Sequence, residues 1–189
     1  MHPVEALIWP LGRTLRSVRP DAARSLAEAP EFRAARTIEL TSPAYRDGEV
    51  IPARFCGPLI GKDLSPALAW SALPEGTVDL LLVFEDLDAP RSAPALHTIV
   101  AFAPRPSGIP EGALRTDDPT LRFLPTLFGR AKYAGPRPLP GHGTHRYRFH
   151  LYALDTPVDM AAVGSPDRLP AAVAGHVLAS GTLAGTRTC

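Results

Sequence analysis

Several features that would fix a class of protein at once are scarce in this sequence. It contains only two cysteines, Cys56 and Cys189, far apart in the chain, which excludes a disulfide framework and predicts reduced thiols. No apolar run reaches the roughly 18 residues that a transmembrane helix needs. Pro10 cuts short the apolar run near the N-terminus, so a signal peptide is not indicated. The formal net charge is +1, without the basic excess of nucleic-acid-binding proteins. We therefore expect a cytoplasmic protein that binds no nucleic acid.

Proline, by contrast, is abundant. The chain has 22 prolines among 189 residues, more than twice the usual share of about 5%. Each proline inside a helix removes a hydrogen bond and breaks the helix, so an all-helical bundle is excluded. Because 45% of the residues are hydrophobic, a chain of this length can bury a core of its own. The composition favours a mainly β protein with long ordered loops.

Residues 1–36 differ from the rest and are predicted to form a partly helical N-terminal arm. Apolar residues recur there at helical spacing, at Val4, Leu7, Ile8, Leu11 and Leu15, and a second short helix is predicted at 21–29. A stripe this short is not stable alone, so it must be buried on its own domain, on a second copy or on an anionic membrane. We favour protein contact, and a homodimer over a monomer. The six arginines of the arm are interleaved with acids and too dilute for strong attraction to lipid.

Residues 37–189 are predicted to form one β-rich domain. Runs of strand length occur at 37–40, 51–55, 78–85, 96–103, 147–154 and 181–186. The run at 78–85 is apolar throughout, as in a central strand buried on both faces. The run at 147–154 alternates and places Tyr147 and Phe149 on one face and His150 on the other. One helix is predicted at 169–178, and 104–144 is expected to be a long loop of the kind that is usually functional or mobile.

Three places combine titratable residues with constrained backbone. Asp86 follows an apolar strand, where a carboxylate needs a partner, although a local turn would also explain it. His97 lies in a second apolar strand, where a histidine is more often part of the core than of a site. The third place is the loop and strand start at 135–147, which holds Gly141, Gly143, His145 and Tyr147. Such a loop can present backbone N–H groups to an anion.

Together these residues favour a site for an oxyanion. The carboxylate could also receive an ammonium group of the same ligand. The imidazole N–H, the phenol O–H and backbone N–H groups all donate hydrogen bonds, and a carboxylate can orient an imidazole. Zinc is weakly indicated, because His150 should lie on the strand face opposite His145. The Gly-x-Ser-x-Gly motif of serine hydrolases is absent. We expect no metal and no cofactor.

The order of the motifs resembles the phosphatidylethanolamine-binding protein family, whose bacterial members are called Raf kinase inhibitor-like proteins. The motifs are SPALAW at 65–70, DLDAP at 86–90, His97 after a leucine, and GHGTHRY at 141–147. The resemblance implies an antiparallel β-sandwich-like fold with a small C-terminal helix, and a surface pocket for phosphate-type anions. By motif position it assigns that pocket to Asp86, His97, His145 and Tyr147, with backbone donors from the loop that contains Gly141 and Gly143.

Two positions depart from the family pattern. Leu87 replaces the usual proline, which loosens the backbone around Asp86, and Thr98 replaces the usual bulky aromatic, which alters a wall of the pocket. The identity of the ligand is therefore left open. We also expect a cis peptide bond between Ala89 and Pro90, because tight turns after strands use it.

The residues and the resemblance together predict a non-enzymatic binding module for phosphorylated small molecules or phospholipid head groups. The alternative is a protein-interaction module that inhibits a protease or a kinase through the loop at 104–144. An enzyme acting on a phosphoester is weaker, because no activated nucleophile is evident. If His97 and His145 donate to the anion, binding should strengthen as they become charged, near their ordinary pKa of about 6.5.

Overall fold

The computed structural model describes residues 3–126 and 129–189. Residues 1, 2, 127 and 128, which belong to the predicted arm and long loop, and the side chain of Val4 lie outside the described part. The helices are α1 (Pro3–Thr14), α2 (Met160–Val163) and α3 (Leu169–Val173). The strands are β1 (Arg36–Thr37), β2 (Leu40–Thr41), β3 (Leu68–Trp70), β4 (Asp79–Asp86), β5 (Ala95–Phe102), β6 (Gly108–Ile109), β7 (Arg122–Leu124), β8 (Thr144–Leu154) and β9 (Val177–Thr188).

The strands form two sheets that face each other. Six strands follow the order β1-β9-β8-β4-β5-β7, and three follow the order β2-β3-β6. The pairs are antiparallel except for β1 beside β9. Every residue of β4 is buried, because this central strand has a core on each face. The predicted mainly β, sandwich-like architecture with a small C-terminal helix is confirmed.

Strand β8 contributes residues to two hydrophobic cores, one on each face of the large sheet. Its residues Tyr147, Phe149, Leu151 and Ala153 pack into the core between the two sheets, as the alternation in the sequence predicts. Tyr152 and Leu154, on the other face, pack into a second core. That second core is completed by α2 and α3 and by Phe32 of the N-terminal segment, so the arm supplies part of the hydrophobic interior.

Five secondary-structure predictions were wrong or incomplete. The strand predicted at 37–40 is split between β1 in the six-stranded sheet and β2 in the three-stranded sheet. Residues 51–55 form a 3-10 turn at Ala53–Phe55 rather than a strand. Residues 21–29 form separate 3-10 turns, because the side chains of Asp21 and Ser25 accept N–H groups two residues ahead and close short turns. The helix predicted at 169–178 ends at Val173, since β9 already begins at Val177. The stretch 104–144 contains the short strands β6 and β7.

Helix α1 runs without a break through Pro10 and packs against its own domain. Gly12 makes the closest approach: a Cβ there would collide with the carbonyl oxygen of Pro140 and lie 2.9 Å from the backbone nitrogen of His142. Ile8 is half-buried, whereas Leu7 and Leu11 are exposed. Within the described residues, no helix is long and apolar enough to cross a membrane.

Candidate functional site

A cavity of about 400 Å³ opens where β4 ends. Asp86 at the end of β4, His97 on β5 and His145 on β8 border it. The antiparallel pairing explains their convergence, because Asp86 lies opposite Ala95 on one side and Tyr147 on the other. Prolines, glycines and alanines from the surrounding segments make up half of the lining residues, and Ile8 of α1 adds to the wall. Three of the four side chains predicted to share a pocket therefore line one cavity.

Asp86 is the end of a chain of buried polar contacts. Its Oδ2 lies 2.8 Å from Nδ1 of His145, whose Nε2 lies 2.7 Å from Nδ1 of His142. Nε2 of His142 then lies 2.7 Å from a guanidinium nitrogen of Arg19. One set of tautomers satisfies this chain: Arg19 donates to His142, His142 donates to His145, and His145 donates to the Asp86 carboxylate. The carbonyl oxygen of Val18, which lies 3.1 Å from Nε2 of His142, then accepts from Arg19 instead. The other carboxylate oxygen of Asp86 accepts the N–H of Asp88 at 2.9 Å.

This chain keeps His142 neutral and fully engages His145. Burial lowers the pKa of His142, and the positive charge of Arg19 lowers it further. Both ring nitrogens of His145 already have partners. A ligand that needs a donor from His145 would therefore have to break one of these bonds.

His97 is held differently and keeps one nitrogen for the cavity. Its Nδ1 donates to the carbonyl oxygen of Ala134 at 3.1 Å, and its ring packs edge-on against Phe84 and Tyr147. The backbone contacts that act on its ring come from Ala134 and Gly135, and no side chain among the described residues forms a hydrogen bond with its Nε2. Burial lowers the pKa of His97, and the nearby charge of Asp86 opposes that effect without cancelling it. At neutral pH the ring is therefore uncharged.

Tyr147 lies beneath the two histidines and does not line the cavity. It is fully buried, with its ring centre 5.5 Å from that of His97 and 6.2 Å from that of His145. Its hydroxyl is buried without a hydrogen-bond partner among the described residues. Burial, and next the charge of Asp86, raise its pKa well above the usual value of about 10. It supports both rings from behind as a neutral phenol.

Gly141 and Gly143 are not brought to the cavity. Both have positive φ angles, 82° and 106°, which favour glycine. Gly141 instead packs against Trp9 of α1, and its N–H donates to the carbonyl oxygen of Cys189 at 3.3 Å. The N–H of His142 likewise donates within the loop, to the carbonyl oxygen of Leu139 at 3.0 Å, so neither of these backbone donors is offered to a ligand. The predicted cis bond between Ala89 and Pro90 was wrong, because that bond is trans: hydrogen bonds made by Asp86 and Asp88 already close the turn.

Asp88 fixes the loop after β4 to two other parts of the chain. Its carboxylate accepts the backbone N–H of Arg146 and two guanidinium N–H groups of the same residue, and it lies 3.4 Å from Arg19. Burial raises the pKa of Asp88, but the Arg146 hydrogen bonds and the charges of both arginines outweigh it and hold the pKa below its usual value. Arg19 therefore contacts both motif loops.

The two departures from the family pattern have structural roles. Leu87 donates its N–H to the carbonyl oxygen of Arg146 at 2.8 Å, which fixes the backbone that a proline would have stiffened. The hydroxyl of Thr98 is buried and accepts the N–H of Ala134 at 3.2 Å. Ala134 in turn accepts from His97, so Thr98 helps to orient the cavity histidine.

The sequence interpretation missed the cationic part of the site. Arg91, Arg130 and Arg137 line the cavity, and Arg19 reaches its polar chain from the arm. Their positions next to the motifs could have indicated them. Arg91 follows the DLDAP motif directly, and Arg137 lies in the proline-rich loop before GHGTHRY. Among the described residues, no group of three or more histidine, cysteine or acidic side chains is placed to hold a metal ion. His150 lies on the opposite sheet face, 3.5 Å from Glu85.

Comparisons with known proteins agree with this fold. A family model described as phosphatidylethanolamine-binding protein matches residues 41–188. The UPF0098 protein PH1269 of Pyrococcus horikoshii is 34% identical over 148 residues, 76% of this chain and 73% of its own. A Mycobacterium tuberculosis protein, named as the lipoprotein LppC, is 32% identical over 156 residues, 80% of this chain and 75% of its own.

A solved structure supports the same assignment. Escherichia coli YbcL, described as a new member of the mammalian PEBP family, aligns with a TM-score of 0.70 at 26% identity. The alignment covers 80% of this chain and 98% of YbcL. The family match begins at residue 41 and leaves the arm outside it. The chain therefore belongs to the phosphatidylethanolamine-binding protein family.

Proposed function

We propose that this protein binds a phosphate-type anion, carried by a phosphorylated small molecule or a phospholipid head group, in the cavity beside Asp86, His97 and His145. The observation that carries the proposal is the lining of that cavity. Arg91 and Arg137 border it together with the buried His97. A guanidinium presents paired N–H donors that match the geometry of an oxyanion. The negative charge of Asp63 at the edge is offset by Lys132, 3.5 Å away.

The rest of the lining favours a ligand with an apolar portion. Pro58, Ala89, Pro138 and Leu139 supply uncharged wall, and Ile8 covers one side. Pockets for small molecules combine such walls with a few polar groups that fix orientation. A phosphate attached to a carbon skeleton suits this division better than inorganic phosphate alone.

The contacts of the candidate base favour binding over catalysis. His145 would be the natural proton acceptor beside Asp86, but its second nitrogen is bonded to His142 at 2.7 Å. A general base needs a nitrogen within reach of the proton that it removes. The uncommitted nitrogen belongs to His97, which the pairing with Ala134 orients as a hydrogen-bonding group.

Isothermal titration calorimetry with inorganic phosphate and with phosphoethanolamine tests the proposal. We expect both to bind, the organic ligand more tightly. Arg137→Gln should weaken binding about tenfold or more, since a hydrogen bond to a charged group contributes roughly 1.5–3 kcal/mol. Arg115→Gln is the matched control, because Arg115 is exposed and paired with Asp117 outside the cavity. Absence of binding in the wild type, or equal losses in the two variants, would contradict the proposal.

The pH dependence of sulfate binding isolates the contribution of His97, because sulfate does not titrate near neutrality. Burial holds the pKa of His97 below about 6.5, so the affinity should be flat above that pH and rise on acidification. His97→Gln should abolish the rise, whereas the exposed His176→Gln should keep it. Without a ligand, acidification has the opposite effect on the free energy of unfolding. The unfolded chain takes up the proton first, so His97 lowers the stability as the pH falls below about 6.5.

A further inference from the structure

The outer face of α1 is apolar and uncovered. Leu7 is 81% exposed and Leu11 54% exposed, and Ala6 and Pro10 share this face at helical spacing and are exposed too. The charged residue Glu5 lies on the inner face instead and is buried. A helix that buries one face on its own domain normally presents polar residues on the other. Here the outer face is mostly apolar among the described residues, and Arg13 and Thr14 follow at its C-terminal end.

Positive charge surrounds this face. Arg13 lies over the ring of Trp9, 5.0 Å from its centre, and Arg16 follows one turn later. Both arginines are exposed. Arg91 and Arg137 border the cavity that Ile8, on the inner face of the same helix, helps to line. The exposed apolar side chains therefore lie beside a cavity mouth whose nearby cations come from the helix and from two loops of the domain.

We propose that α1 and the arginines at the cavity mouth form a docking surface for an anionic lipid bilayer. Leucine and tryptophan side chains on an amphipathic helix enter the interface between lipid head groups and acyl chains, and arginine is attracted to anionic head groups. Each arginine near such a surface strengthens binding about fivefold. In the sequence the arginines of the arm are dilute, but α1, which carries the exposed Arg13, also places Ile8 in the wall of the cavity that Arg91 and Arg137 border.

A second copy of the chain fits this surface less well. An isologous dimer through α1 would gather Arg13 and Arg16 of both copies into one interface, and like charges brought together oppose association. A stable interface also needs about 20–30 residues on each side, whereas three large apolar side chains, Leu7, Trp9 and Leu11, are exposed on this helix. An anionic bilayer satisfies both the apolar side chains and the charges.

Vesicle cosedimentation of the full chain tests the docking surface. We expect binding to vesicles of phosphatidylcholine mixed with phosphatidylserine, weak binding to phosphatidylcholine alone, and a loss at high salt. Leu7→Ser with Leu11→Ser should lower the partition coefficient at least about tenfold. The control is Val50→Ser with Val78→Ser, since these residues are also exposed and lie elsewhere. The emission of Trp9 should shift to shorter wavelength on binding, while Trp70, which is buried, stays unchanged.

The outcomes separate this proposal from anion binding in the cavity. The docking surface rests on the proposed function only in that the cavity would receive the lipid head group. Leu7→Ser with Leu11→Ser leaves the cavity residues intact, so its affinity for phosphoethanolamine should equal that of the wild type. Loss of vesicle binding with unchanged phosphoethanolamine binding supports the docking surface. Vesicle binding that survives this variant overturns it. A dimer by light scattering that the same variant converts to a monomer would assign the face to a second copy and also overturn it.

Discussion

Gly12→Ala tests whether α1 is held on the cavity by one close backbone contact. Alanine is the better helix former by about 1 kcal/mol, so the substitution should strengthen the helix itself. A Cβ at this position would nevertheless collide with the carbonyl oxygen of Pro140. That oxygen belongs to the backbone and cannot turn away as a flexible side chain could. We therefore expect a well-formed helix that no longer docks.

The loss can be estimated from what the helix buries. Ile8 and Leu15 are both half-buried in the docked helix, and full burial of such a side chain contributes roughly 1.5–3 kcal/mol. Half of that value for each residue gives about 2 kcal/mol of docking free energy, which corresponds to roughly a 30-fold change in the opening equilibrium. Undocking would also remove Ile8 from the cavity wall.

Hydrogen–deuterium exchange across α1 and the rate of tryptic cleavage at Arg13 and Arg16 measure this change. Gly12→Ala should raise the cleavage rate by about the same factor at protease concentrations where the helix closes again faster than it is cleaved. Thr14→Ala is the matched control, because Thr14 lies in the same helix and is exposed. Cleavage and exchange in Gly12→Ala that match those of Thr14→Ala would refute the account of α1 as a helix docked through Gly12.

Two further predictions concern the rest of the arm. Arg19→Gln removes a positive charge that lies 2.7 Å from His142, so the pKa of His142, followed by NMR, should rise towards its usual value; Arg24→Gln should leave it unchanged. Ser25→Ala removes a 2.6 Å hydrogen bond to the buried carboxylate of Glu85 and should lower the free energy of unfolding by about 1.5–3 kcal/mol, with wild-type stability in urea as the result that contradicts it.

The pattern of the sequence was sufficient to predict the sheet and the place of the site. The apolar run ending at Asp86 and the alternation from Tyr147 onwards each follow from one local rule, whether a residue faces a core. The convergence of Asp86, His97 and His145 was predicted from the loop that they border and from the family resemblance. The pairing of β4 with β5 and β8, which brings them together, was not predicted.

The contacts between segments could not be predicted from the same pattern. Both His142 and Asp88 contact Arg19, which is more than 60 residues away from each in sequence, and no local period in the sequence indicates such a contact. Gly141 was predicted to be a backbone donor for a ligand. A glycine with positive φ serves equally well for close packing against a helix, as Gly141 does here. Which use it has depends on where α1 docks.

Glu85 gives the arm a part in defining the folding unit. The carboxylate of Glu85 is fully buried on the sheet face opposite the cavity, and the hydroxyl of Ser25 and the N–H of Leu26 donate to it. Burial raises its pKa, but contact with His150 and these two donors outweigh that effect and keep it low. A fragment that began at residue 41, where the family match starts, would leave the charge of Glu85 without two of its donors and the second core without Phe32. We therefore expect the smallest stable unit to begin no later than residue 25, upstream of the segment that the family model matches.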